Sequence, residues 1–228
     1  MVTEKEYTAL VKNVTNTPLE PLTIHAPVRK YPKGQILFYE GDTPGNVYIL
    51  KKGAIKIYDI DDKGNEKIVH IISPPAIFPA IFFFSKAEAS NTFYSTLSEC
   101  EVYVVSAREF DDRLHQNNEL ALYCLKWMAE ESHELTVRLA SLEKSDAKEK
   151  LLTALRFLAF IHGQSLAKEG WYRVNFAVSH QLLADMIGVT RESTTLAMKD
   201  LQKHHIVKHP KITVLDINTV ALIDMLEG

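Results

Sequence analysis

Residues Ser179 to Lys203, reading SHQLLADMIGVTRESTTLAMKDLQK, leave the chain less freedom than any other stretch. Ser179 suits the N-cap of a first helix whose apolar side is Leu182, Leu183, Met186 and Ile187. Gly188 ends that helix, because glycine takes the left-handed backbone conformation that a sharp turn needs. Val189 plugs the corner and Thr190 caps a second helix starting at Arg191. Thr194, Ala197, Met198 and Leu201 share one side of the second helix and should pack on the first. Arg191, Glu192, Thr195, Leu196 and Lys199 are left on the open side. A solvated αα-hairpin would read the same in isolation, but the sequel differs. Ile206 and Val207 lead into a turn-like Lys208 to Lys211 and an alternating Ile212, Val214 and Leu215, the pattern of a β-hairpin wing. Helix, turn, helix and wing make a DNA-binding domain whose second helix meets base edges with its opening turn. A basic wing tip would lie beside phosphates.

Charge supports this locally and opposes it globally. The chain of 228 residues carries a net charge of -3, which is not that of a general nucleic-acid binder. Between Asp146 and Leu215, however, ten Lys and Arg face six Asp and Glu, with His180, His204, His205 and His209 in addition. Screening hides charges beyond about 10 Å at moderate salt, so a local basic face can still hold phosphates. Cys100 and Cys124 are too few and too far apart for a C-x-x-C metal site and read as buried apolar residues. The sequence offers neither a signal peptide nor an apolar span long enough for a bilayer, so a cytoplasmic protein without a membrane partner is expected. It also lacks a Ser/His/Asp arrangement, a phosphate-cradling glycine loop and metal-ligand spacing, so no enzyme is expected.

Ahead of the helical pair the chain changes period. Residues 1 to about 27 are polar and proline-bearing, a short helix and an irregular lead-in. From Val28 to Val105 short β-rich runs break at Gly34, Gly41, Gly53 and Gly64, with a hairpin turn at Asp62 to Asn65, as in a sandwich, barrel or jelly roll. From Ala107 the period is helical. Ala121, Leu125, Met128, Ser132, Leu135, Leu139 and Leu142 recur in steps of three and four, a heptad seam that a second copy of the chain would cover best. A break is expected at 143–145, because Asp146 and Glu149 form a capping box opening a new helix. Gly163 to Gly170 reads as a loop, and residues 171–179 as a β-like lead to the helical pair.

KGQILFYEGD, VYILKKGAIKIY, the SECEV strand ending at Val102, Asp146 at the hinge and IGVTRES at the second helix together resemble the cyclic-AMP receptor protein/FNR (Crp/Fnr) superfamily of bacterial transcription regulators. The likeness runs from about Tyr31 to Leu226. It implies an α+β fold in three parts: a cyclic-nucleotide-binding-like sensor, a double-stranded β-helix or jelly roll, at 1–106; a long dimerisation helix and hinge at 107–145; and a winged helix-turn-helix at 146–228. It further implies a homodimer on a palindromic double-stranded DNA operator, with RNA polymerase as a further partner. Ser179, His180, Thr190, Arg191, Glu192, Thr195, Leu196 and Lys199 would form the DNA-binding set. Arg191 would take guanine through N7 and O6, and Glu192 would accept from a cytosine amine. The family's second arginine is Leu196 here, which relaxes one position of the half-site.

The same likeness argues against a cyclic nucleotide. Family members that bind one use glycine, glutamate and arginine in a phosphate cassette, and those positions are Pro79, Ala80 and Ser90 here, followed by Asn91. A buried phosphate without its arginine would be left unpaired. Phe78, Pro79, Ala80, Ile81, Phe82, Ser90 and Asn91, with Leu135 and Thr136 on the long helix, outline instead either a filled core or a pocket for an apolar or aromatic effector. No cofactor is expected. A haem-dependent sensor, with His70 and His133 as axial candidates, is one alternative, and a protein-interaction module that has lost DNA binding is another.

Overall fold

Alternation of inward and outward side chains explains why the β-rich region builds layers. The computed structural model describes residues 18–84, 89–211 and 213–227. Of these, the residues within 18–59 and 69–133 form one unit, and those within 60–68 and 134–227 form a second. In the first, β1 (Val28–Tyr31), β8 (Cys100–Ser106), β3 (Asn46–Lys52) and β6 (Ala76–Phe78) make one antiparallel sheet in that spatial order. The other sheet has the order β2 (Ile36–Phe38), β7 (Phe93–Thr96), β4 (Ile55–Ile60) and β5 (Glu66–Ile72).

Successive residues of a strand face opposite ways, and here both faces of the first sheet are covered. Leu50, Ala76, Phe78, Val102 and Val104 join Phe38, Ile55 and Tyr94 in the roll's interior. Their neighbours Val47, Ile49, Ile77 and Val105 pack outward against Leu22, Phe110, Leu120 and Cys124. Those last four lie on or beside α1 (Glu20–Thr23), α3 (Ala107–Gln116) and the start of α4 (Asn118–Leu142); α2 is the single turn Ile81–Phe84. Both cysteines are free and buried, as their apolar surroundings require. Burial pushes the Cys124 thiol up to about 11.

The helical region from Ala107 is divided. Asn117 is extended, and its Oδ1 accepts from the backbone N–H groups of Glu119 and Leu120, so one helix ends and α4 starts. The strand β6, read from sequence only as part of an apolar run, pairs with β3. The hairpin turn is organised one residue earlier than expected, by Asp61. Its carboxylate accepts from Lys63 and Asn65, and the N–H groups of Asn65 hold it down to about 2.

In the second unit α5 (Ala147–His162) begins where Asp146 accepts from the N–H of Glu149, the expected capping box. Leu151, Leu152, Leu155 and Leu158 are among its many buried residues because α6 (His180–Ile187), α7 (Arg191–Lys203), α8 (Thr219–Glu227) and a sheet surround it. That sheet has the order β11 (Val207–Lys211), β12 (Val214–Asn218), β10 (Trp171–Val174), β9 (Gly163–Ser165). Gly163 to Ser165 is therefore a strand where a loop was expected. No described helix is long and apolar enough to cross a membrane.

Gly53 is the tightest turn of the roll. Its φ is +98°, and an added Cβ would stand 2.5 Å from both Cys100 Sγ and the Glu99 carbonyl oxygen. Gly53→Ala should lower stability by about 2 kcal/mol or more, from strain and steric overlap together, measured as the shift in urea midpoint of the roll's aromatic fluorescence.

Candidate nucleic-acid interface

Three residues, Gly188 to Thr190, join two short helices. Ser179 Oγ accepts from Leu182 N at 3.0 Å and opens α6, and Gly188 closes it at φ +69°. Thr190 Oγ1 accepts from Ser193 N at 3.2 Å and donates to Ser193 Oγ at 3.0 Å, opening α7. Leu182, Leu183, Met186 and Ile187 are buried, as are Thr194, Met198 and Leu201 on the facing side of α7. Arg191, Glu192, Leu196 and Lys199 are exposed and Thr195 half-buried. Ala197, expected on the packed side, is half-buried like Thr195; the other residues divide as the spacing required.

A polar contact joins the two helices at their outer end. His180 Nδ1 lies 2.9 Å from Thr195 Oγ1, and Thr195 Oγ1 donates to the Arg191 carbonyl at 2.8 Å. Desolvation, followed by the charges of His209, Arg191 and Lys199, holds the His180 imidazole below its ordinary pKa. His209 had no site role in the sequence reading; its ring centroid is 6.3 Å from that of His180. Only the folded chain brings His209 of β11 near His180.

The wing corrects one expectation. Lys208 to Lys211 is not a turn but belongs to β11, and Ile212 lies outside the described residues. Pro210, which has no N–H to donate, is accommodated because β11 is an edge strand with a register shift between Lys208 and Lys211. The sheet is clamped by a cross-strand fork: Arg173 Nε and Nη2 donate to Asp216 Oδ1 and Oδ2 at 2.7 and 2.8 Å. Such bidentate pairs are directional as well as strong. Lys208 Nζ sits 4.5 Å from the Trp171 ring centroid. The buried Arg138 guanidinium donates to the carbonyls of Ile68 and Met186, the latter in the last turn of α6. Burial brings Arg138 down to about 10, so it remains charged.

The residues expected to line an effector pocket differ in burial. Phe78 packs into the roll against Phe38, Tyr48 and Tyr94, whereas Phe83 and Phe84 meet Phe110 edge-on outside it. Pro79 is buried, and the Ala80 carbonyl accepts from the N–H groups of Phe83 and Phe84. The side chains of Ile81 and Phe82 lie outside the described residues. Ser90 Oγ donates to the Thr92 carbonyl at 2.7 Å, and Asn91 is exposed. Leu135 and Thr136 are exposed on α4. Of the two histidines weighed as haem ligands, His70 is buried with Nε2 2.9 Å from Glu131 Oε2, and His133 is exposed. Of the heptad seam, Leu125 and Leu139 are 65% and 62% exposed, Met128, Ser132 and Leu135 are exposed, and Ala121 and Leu142 half-buried.

Residues 28–117 match the cyclic nucleotide-binding domain family and residues 150–221 the Crp-like helix-turn-helix domain family. The global nitrogen regulator of Synechocystis sp. is 25% identical over 197 residues, 86% of each chain. The cAMP-activated global transcriptional regulator CRP of Pasteurella multocida is 22% identical over 198 residues, 86% of this chain and 93% of that one. A CRP-family transcriptional regulator from Thermus thermophilus superposes with a TM-score of 0.71 at 16% identity, covering 88% of this chain and 97% of that one.

The caps carry a stability prediction. Thr190→Ala should cost about 1 kcal/mol by removing the acceptor that opens α7, while Thr190→Ser should restore most of it. Thermal unfolding followed by circular dichroism measures both.

Proposed function

Because the chain belongs to the Crp/Fnr superfamily of transcription regulators, we propose that it acts as a homodimer that reads a palindromic DNA operator with α7 and is not gated by a cyclic nucleotide. The observation that carries this reading is the open side of α7, where Arg191 and Glu192 stand exposed in the first turn. That is the part of such a helix that reaches base edges. Arg191 has the fork to take guanine N7 and O6, and Glu192 can accept from a cytosine amine. Leu196, 69% exposed, can meet a thymine methyl but cannot hydrogen-bond to guanine. Ser179, His180 and Lys199 serve phosphates, and Thr190 and Thr195, whose hydroxyl hydrogens are held within the protein, meet neighbouring base edges with their methyl groups.

The proposed dimer follows from the exposed seam on α4. Leucines left that open in water favour association, and a heptad spacing fits a parallel pair of helices. At the start of the helix, Ala121, Leu125 and Met128 also border an apolar hollow of about 310 Å³ with Phe84 and Leu114, a recess for side chains of a second copy. We assign the sensor to 1–106, the dimerising region to 107–145 and the DNA-binding domain to 146–228, in a cytoplasmic protein that meets RNA polymerase on its operator.

Charge and space support the reading without a cyclic nucleotide. Pro79, Ala80, Ser90 and Asn91 offer no cation for a phosphate, and rings of Phe38, Tyr48, Phe78 and Tyr94 pack on one another in the roll. The effector, if the roll takes one, is apolar or aromatic.

Binding to duplexes selected from a random pool tests this reading. Arg191→Ala should cost about 1–3 kcal/mol and relax one base position, whereas Lys199→Ala should weaken all sequences alike and lower the salt slope by about one. Unchanged affinity and preference in Arg191→Ala would refute the docking. Leu125→Glu with Leu139→Glu should convert the dimer to monomers in sedimentation velocity and remove tight operator binding.

A further inference from the structure

The contact between His180 and Thr195 dictates which nitrogen of the imidazole carries its proton. A backbone carbonyl only accepts, so the Thr195 hydroxyl hydrogen is committed to the Arg191 carbonyl, 2.8 Å away. Thr195 Oγ1 must then accept from His180, whose Nδ1 is 2.9 Å away. Neutral His180 is therefore the Nδ1–H tautomer, with a bare lone pair on Nε2. A phosphate oxygen is also an acceptor. The neutral ring and a DNA phosphate thus have no hydrogen to share, and contact between them requires one more proton.

We propose that each His180 takes up one proton from solvent at Nε2 as it meets a DNA phosphate, so that operator binding tightens on acidification. This rests on the reading of α6 and α7 as the DNA-binding pair. In the neutral form Nδ1–H donates to Thr195; in the charged form that bond is kept and Nε2–H donates to the phosphate, so the second proton adds a contact without breaking the first. The groups that face the ring are Arg191 and Lys199 on α7 and His209 on β11. All of them oppose positive charge on His180 in the free protein, and desolvation does so more strongly. The position of His180 at the start of a helix adds to that opposition, since helix N-termini carry partial positive charge. His209 offers no relief: its Nε2 is buried and lacks a hydrogen-bond partner among the described residues. An arriving phosphate reverses the balance, because its negative charge offsets that of Lys199 and pairs with the imidazolium.

The sign follows from linkage. The free-protein pKa lies below the ordinary histidine value, about 6.5, and the phosphate raises it in the complex. Between those two values the complex holds more protons than the free protein, so affinity rises as pH falls through the bound-state pKa. It levels off below the free-state pKa. The slope approaches about tenfold per pH unit for each His180, or ~100-fold for a dimer that engages both.

Fluorescence anisotropy of a selected duplex with the full chain, at constant ionic strength from pH 5.5 to 8, reads this directly. Wild type should tighten with acid, and His180→Gln and His180→Arg should both lose the slope. A flat wild-type profile on a duplex that is bound sequence-specifically overturns the proposal and leaves the DNA-binding reading standing. A slope that survives in His180→Gln but vanishes in His209→Gln also overturns it, by moving the proton to the wing. No selected duplex at any pH refutes both. Imidazole ¹⁵N spectra of the free full chain give a check independent of DNA: the Nδ1–H tautomer is expected at His180, and an Nε2–H tautomer would overturn the proposal.

Discussion

Burial of Thr194, Met198 and Leu201 along one side of α7 is the constraint on which the proposed DNA-reading surface depends. A helix of that length is marginal in water and is held by the apolar face it buries. Gly188 brings that face onto α6, and both helices rest on α5, which is buried over most of its circumference. Arg191, Glu192, Leu196 and Lys199 are consequently presented on a rigid element, free of the packing that fixes it. The caps at Ser179 and Thr190 fix where each helix starts, and hence which residues occupy the opening turn.

Polar contacts in this unit have a different task from the apolar ones. The Arg173–Asp216 fork sets the register of β10 on β12, and Arg138 satisfies carbonyls of Ile68 and Met186 at the base of α6. Neither need be a large net stabiliser, since a buried charge forfeits hydration. Each is directional, and removing Arg173 would strand the buried Asp216 carboxylate, as removing Arg138 would strand two carbonyls. The His180–Thr195 contact is of the same kind but lies at the open end of the pair, where a phosphate can complete it.

In the roll, the layered sheet was legible where the pleat alternates and turn glycines punctuate it. The strand β6 was not, because Ala76 to Phe78 is buried on both faces and three apolar residues in a row carry no period. The following aromatic run looks like one lining in the sequence and is divided between two cores, Phe78 inside the roll and Phe83 and Phe84 against Phe110. Asn117 is a capping residue type, but so is its neighbour Asn118, and which of them closes the turn depends on backbone conformation.

Local chemistry alone determined the helix-turn-helix: caps, a left-handed glycine and a 3.6-residue period act over a few residues, and their consequences need no distant partner. It also determined the capping box at Asp146 and the buried character of both cysteines. Tertiary structure decided what depends on residues far apart in the chain. It put Lys208 to Lys211 into an edge strand through pairing with β12, formed β9 from an apparent loop through pairing with β10, and brought His209 to His180. It also set the Thr195 hydroxyl between a carbonyl and an imidazole. Proton placement at His180 follows from that last arrangement, because a hydrogen bond specifies its donor only when both partners are in place.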